Sequence, residues 1–219
     1  MNNYFHVELD SYKSEVTWYG RFALTMLKNS LMAFESADEK MAEDVVRQKD
    51  YVTNQYEMLG ERGILLIALN QPMAKDLRII SSCMDIVTSS ERIGRYGKDI
   101  AELVKGMGVG QVPQKLHKME KATISVLDTV YIAFESEDLS RLREVVTIEQ
   151  KIDMMYKDLY TDLVSSMEDG SRSIPYGSAC HLVNRYLERC SDHACRMGEK
   201  VYYMQTGKRV PLEDIEIIE

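Results

Sequence analysis

The chain predicts an all-α fold: two tandem, pseudo-symmetric three-helix bundles built from six long helices. Three observations carry that prediction. Apolar residues recur at helical spacing, as in Tyr12, Val16, Tyr19, Phe22, Met26 and Leu27. Turn formers are scarce, with 12 Gly and 4 Pro in 219 residues, too few for the tight turns of an all-β fold. The second half also repeats the first. At a shift of 100 places Ala33-Phe34-Glu35-Ser36 falls on Ala133-Phe134-Glu135-Ser136, and Asp38 on Asp138. Asp44-Val45-Val46 then meets Glu144-Val145-Val146, Tyr56 meets Tyr156, and Leu59 meets Leu159. With three residues deleted, Glu91-Arg92 falls on Glu188-Arg189.

The first helix is expected from Val7 to Ser36. Asp38 is placed to cap the second, whose apolar residues Met41, Val45, Val52, Tyr56 and Leu59 lead towards Leu69 across Gly60 and Gly63. Asn70-Gln71-Pro72 stops that helix, and Pro72 suits the first turn of a third running from Met73 to Lys105. Gly106 to Pro113 holds three glycines and a proline, the clearest linker in the chain. Three further helices follow, over Gln114–Ser136, Asp138–Met167 and Pro175–Gln205, with Asp169 to Ser173 separating the last two. The units are therefore residues 1–108, a linker at 109–113, a second repeat at 114–206 and an acidic tail at 207–219. Helices of about 30 residues are about 45 Å long and should cross at shallow angles.

A formal net charge of −8 argues against nucleic acid as a main partner, because phosphate backbones need a basic surface. The N-terminal residues lack the charged head and apolar body of a signal peptide. The longest apolar run, Ile64 to Leu69, is far short of the roughly 20 residues that span a bilayer. The expectation is a cytoplasmic protein. Cys83, Cys180, Cys190 and Cys195 form no Cys-x-x-Cys pair, so zinc-knuckle and thioredoxin-type motifs are absent.

The chemistry concentrates between Leu187 and Glu199. Glu188 and Asp192 lie four apart and share a helix face, with Cys195 and Glu199 continuing the stripe. Like charges at this spacing repel, so a metal ion or a basic side chain should offset them. Arg196, four residues after Asp192, is one such side chain. In the first repeat Glu91, Arg95 and Asp99 form an acid–base–acid ladder that neutralises itself.

Two stretches resemble the PhoU family of phosphate-uptake regulators. Gln71-Pro-Met-Ala-Lys-Asp-Leu-Arg-Ile-Ile80 with Glu91-Arg-Ile-Gly94 is similar to that family's third helix. Tyr186-Leu-Glu-Arg-Cys-Ser-Asp-His-Ala194, with Glu199 and Tyr203-Met-Gln-Thr-Gly207, is similar to its sixth. The resemblance covers nearly the whole chain. It implies a non-catalytic cytoplasmic regulator, often a homodimer, peripheral to the membrane through its partner. That partner would be the ATPase of a phosphate ABC transporter or a phosphate-sensing histidine kinase. Family members carry a Glu/Asp-x-x-x-Asp motif in each repeat, and some bind metal there. By that pattern the metal candidates are Glu188 and Asp192, with Glu91 in the first repeat and Asp99 at the place where the family usually has Asn. Hard oxygen ligands suit Mg, Mn or Fe, with Zn also admitted. Arg95 stands where the motif has Asp, so at most one site is expected, in the second repeat.

Other sites fail on spacing. Di-iron bundles need Glu-x-x-His motifs on facing helices, and the full tetrad is missing. His181 and His193 are twelve residues apart, and His193 points about 100° away from Asp192. Gly106-Met-Gly-Val-Gly110 lacks the Lys-Ser/Thr of a phosphate loop. A metal-binding or metal-storage helical-bundle protein, or a metal-dependent enzyme on such a bundle, unconnected with phosphate control is the alternative reading.

Overall fold

The computed structural model describes residues 3–105 and 111–215. Seven α-helices occupy most of them: α1 (Asn3–Ser36), α2 (Glu39–Arg47), α3 (Lys49–Asn70), α4 (Lys75–Val104), α5 (Gln114–Ser136), α6 (Leu142–Glu168) and α7 (Ile174–Thr206). No strand occurs among the described residues. Helices α2 and α3 together take the place of one helix, so the arrangement is the expected pair of three-helix bundles.

The repeat is written into the backbone as well as the sequence. Ala37 and Glu137 both adopt left-handed φ, at 52° and 58°, and turn the chain out of α1 and α5. Asp38 then caps α2 by accepting the Met41 N–H at 3.0 Å. Asp138 accepts the Ser140 N–H at 3.0 Å and the Ser140 hydroxyl at 2.6 Å. Beyond these caps the halves diverge. The second repeat passes through a 3-10 turn at Leu139–Arg141 before α6 begins. The first breaks its helix nine residues in. Gln48 has φ −78° and ψ −4°, and its N–H reaches only three residues back, to Val45 O at 3.0 Å. The expected continuous second helix is thus tightened at one turn, although neither Gly nor Pro marks the place.

Pro72 does not open the next helix. Gln71 and Ala74 both take φ of 48°, so right-handed helix cannot pass through the corner, and α4 starts at Lys75. Within α3, Gly60 and Gly63 leave the helix unbroken. The expected linker at 109–113 lies partly outside the described residues; the chain resumes at Gln111, whose carbonyl accepts from Arg172 Nη1 at 3.1 Å. Of the tail at 207–219, residues 216–219 lie outside the described residues. Gly207 ends α7 with φ 75°, its N–H bonding Tyr203 O at 2.9 Å. The tail then folds back: Leu212 donates its N–H to Glu199 at 3.2 Å and buries its side chain over Gly198.

Three buried tyrosines organise the interior. Tyr12 and Tyr19 of α1 donate to Leu59 O and Val52 O of α3, at 3.1 and 3.0 Å. Tyr131 of α5 meets Ser90 of α4 at 3.0 Å, and Ser90 in turn donates to Ile86 O at 2.8 Å. Each of these three tyrosine hydroxyls therefore has a partner, as buried polar groups need. The two bundles pack along antiparallel pairs. Along α1 and α5, Lys13 meets Glu137, Arg21 meets Asp128 at 2.6 Å, Lys28 meets Asp128 at 3.1 Å, and Glu35 meets His117. Gly20 lets this pair close up, because a Cβ there would lie 2.2 Å from the Tyr131 ring. Along α4 and α7, Tyr96 stacks on Tyr186 at 5.5 Å and Lys200 pairs with Asp85 at 2.8 Å.

Candidate functional site

The motif carboxylates sit at matching places in the two bundles, Glu91 and Asp99 on α4, Glu188 and Asp192 on α7. Glu91 is buried and its carboxylate is taken by Arg95, four residues on, with Arg92 at 3.8 Å. This is the first step of the expected ladder. Its second step is different: Asp99 pairs with Lys98 at 3.3 Å, and Lys98 also reaches Glu102 at 2.7 Å. Eight residues of helix put Glu91 and Asp99 about 12 Å apart along the axis, so they do not converge.

In the second repeat the offsetting cation is an arginine of α7 itself, but not Arg196. Arg189 lies 3.0 Å from Asp192 and 3.6 Å from Glu188, bridging the two. Arg185 Nη1 contacts both oxygens of Glu188 at 3.1 Å. Even so, the negative charge is not fully offset. Burial first, and then the charge of Asp192, raise the pKa of Glu188 in spite of Arg185 and Arg189. On α6, burial and then Asp153, Asp192, Glu213 and Glu188 raise that of Glu149.

The two repeats differ most in what faces the motif. Glu149 and Asp153 of α6 crowd Glu188 and Asp192; at the same register α3 carries Lys49 and Thr53. The second repeat therefore keeps acidic groups on both helices, and the first keeps them on one. Burial and mutual charge raise the pKa of Glu188 and Glu149, and hard oxygen donors of this kind suit a divalent cation, although no three of the four carboxylates bring ligand atoms within 4.8 Å of one another. The first repeat, with Arg95 and Lys49, does not fit one. Glu149 and Asp153 do not stand out in the sequence as site residues; their one signal is a four-residue spacing that puts both on one helix face. Cys195, on the same stripe, is half-buried near these carboxylates, and burial followed by Glu149 pushes its thiol pKa well up. It stays a thiol, and so is a poor ligand.

His193 points to the other side of α7, against Tyr96 at 6.1 Å. Burial, then the charges of Arg196, Arg92 and Arg189, lower its pKa to about 4, so it is neutral at physiological pH. Its Nδ1 is buried without a hydrogen-bond partner.

One trio at the α1–α5 seam is more tightly gathered than the motif residues. Glu35, His117 and Glu120 each place a ligand atom within 4.8 Å of the others, the one such group of three or more among the described residues. Glu120 is buried, and burial followed by its contact with Glu35 raises its pKa to about 9. Burial also pushes Glu35 up, but hydrogen bonds with Glu120 and His117 outweigh it and hold Glu35 below the usual carboxylate range. His117 and Glu120 are three apart, a spacing visible in the sequence; Glu35 is 82 positions from His117, and only the packing of α1 on α5 joins them.

A family model, the PhoU domain, matches residues 16–104 and again 116–201, one copy on each bundle. The phosphate-specific transport system accessory protein PhoU homolog of Streptococcus pneumoniae serotype 4 is 30% identical over 216 residues, covering 97% of this chain and 100% of that protein. The corresponding homolog of Clostridium acetobutylicum is 28% identical over 214 residues, covering 96% and 98%. The crystal structure of the phosphate transport system regulatory protein PhoU from S. pneumoniae superposes with a TM-score of 0.88 at 27% identity, covering 94% of this chain and 99% of that one. PhoU from Pseudomonas aeruginosa gives a TM-score of 0.86 at 24% identity over 93% and 100% of the two chains, a likeness of fold. Two domain matches covering most of the sequence, one per bundle, place this chain in the PhoU family.

Proposed function

We propose that this protein is an accessory regulator of phosphate-specific transport that works by protein contact and not by catalysis. The observation that carries the reading is the match of both bundles to the PhoU domain, alongside relatives named as accessory proteins of phosphate-specific transport. The partner we propose is the cytoplasmic ATPase of a phosphate ABC transporter or a phosphate-sensing histidine kinase, with the regulator acting in the cytoplasm as a homodimer. No described helix is long and apolar enough to cross a membrane, so any membrane association would run through that partner. The first bundle offers a surface for such contact. Ile64, Leu65, Leu69 and Met73, at the end of α3 and the corner after it, all expose more than half their area.

At Glu188 and Asp192, with Glu149 and Asp153 opposite, we propose a single divalent cation of the Mg, Mn, Zn or Fe type. Its role would be to neutralise the acidic face and fix α6 against α7. Arg95 and Lys98 already answer Glu91 and Asp99, which we assign to a charged face without a cation.

Deletion of the gene in its host tests the regulatory reading. Altered phosphate accumulation is expected, restored by the wild-type chain and not by Leu65→Glu/Leu69→Glu protein that is folded by circular dichroism. Unchanged phosphate accumulation on deletion would refute regulation. Elemental analysis tests the cation: Glu188→Gln/Asp192→Asn should lower the metal content by about one equivalent. Stoichiometric metal together with unaltered phosphate handling would favour the metal-storage reading.

A further inference from the structure

The α1–α5 seam carries a second cluster of metal-ligating groups, far along the chain from the motif carboxylates. It draws on both repeats: Glu35 closes α1, and His117 and Glu120 lie in the first two turns of α5. We propose that Glu35, His117 and Glu120 form a zinc site that staples the two repeats together.

The geometry supports a cation in four ways. First, His117 Nδ1 points between the two carboxylates, contacting Glu35 Oε1 and lying 3.3 Å from Glu120 Oε2. Zinc bonds of about 2.0–2.1 Å separate ligand atoms by about 3.3 Å around a tetrahedron, so the present spacing needs little change. Second, the Oε1 atom of Glu120 is buried and has no hydrogen-bond partner, on a side chain 4% exposed. A carboxylate oxygen left this way costs free energy that a cation would recover. Third, one imidazole and two carboxylates are a donor set that zinc accepts and that leaves one position of the tetrahedron open. Fourth, that open position has access to solvent, because the side chains of His117 and Glu35 remain 45% and 33% exposed. A cation can enter from that side and keep a water as its fourth ligand.

A staple of hydrogen bonds alone would use the same three residues, and the two are separable. Calorimetric titration of zinc into metal-stripped Glu188→Gln/Asp192→Asn protein reads this cluster without the motif site. One equivalent of Zn²⁺ is expected to bind, and Co²⁺ in its place should give the visible absorption of a four-coordinate ion. His117→Ala, Glu35→Gln and Glu120→Gln should each weaken binding by at least about tenfold. His117 and Glu35 reach the surface, so their variants decide the matter even where Glu120→Gln fails to fold. Absence of zinc binding, or binding that the His117 and Glu35 variants leave unchanged, would overturn the proposal. Because the motif site is already removed, neither result bears on the proposed role in phosphate transport.

Discussion

Gly60 and Gly97 both lie inside helices, yet their neighbours differ completely. Nothing comes within 4 Å of a Cβ built on Gly60, whereas one on Gly97 would lie 3.0 Å from the backbone nitrogen of Leu27 in α1. Gly60→Ala should therefore stabilise the protein by about 0.5–1 kcal/mol through helix propensity alone. Gly97→Ala should destabilise it by about 1–3 kcal/mol, because helix backbone cannot give way as a side chain can. Denaturant midpoints of the two variants would show opposite signs. His193 supplies the pH dependence at this scale. In the unfolded chain it takes a proton near its ordinary value of 6.5, and in the folded protein only near 4. Its contribution to stability is thus fully present above 6.5 and is lost as pH falls towards 4, by a total on the order of 3 kcal/mol. His193→Gln should flatten thermal stability between pH 6.5 and 4 relative to wild type.

At the scale of elements, the returning tail makes the clearest prediction. Leu212 packs on Gly198 and Leu142, and its backbone is tied to Glu199 beside the motif stripe. Leu212→Ala should lower stability by about 2–3 kcal/mol, and hydrogen exchange should rise at the C-terminal end of α7 more than elsewhere. The tail's structure was not readable from the sequence, since its hold depends on one leucine meeting one glycine on a distant helix face. The helices themselves were readable, because Tyr12, Val16 and Tyr19 keep phase and Asp38 and Asp138 announce their caps. The Glu91–Arg95 pair was readable too, being local to one helix. What escaped was either too small a change or too remote. The break at Gln48 shifts one hydrogen bond without any breaker residue, and the left-handed Ala74 displaces the start of α4 although Pro72 suits a first turn. The partner of Asp192 turned on a choice between Arg189 and Arg196, which spacing alone does not decide.

At the scale of the whole molecule, the two bundles are not separate bodies on a string. Tyr131 reaches from the second repeat to Ser90 of the first, Tyr96 stacks back on Tyr186, and one buried cluster runs through both. Calorimetric unfolding should show one transition, with Gly20→Ala lowering its midpoint without splitting it, because Tyr131 must move to admit the new methyl. Two resolved transitions would contradict this. The motif sites also make sense only at this scale: Glu149 and Asp153 acquire meaning when set beside Lys49 and Thr53 at the same register.

The antiparallel pairing of α1 with α5, and of α4 with α7, joins each helix to its own counterpart in the other repeat. Two identical copies of one repeat could pair in the same antiparallel way, but not through these side chains: Lys28 and Asp128 occupy the same place in the two repeats, and one residue cannot be both. In such a dimer any substitution appears on both sides at once, so an arginine at the motif would have removed both acidic faces together. Two repeats in one chain are free of that constraint. The first carries Arg95 and Lys49 where the second keeps its carboxylates, so the halves of one pseudo-symmetric molecule differ in charge at the same place.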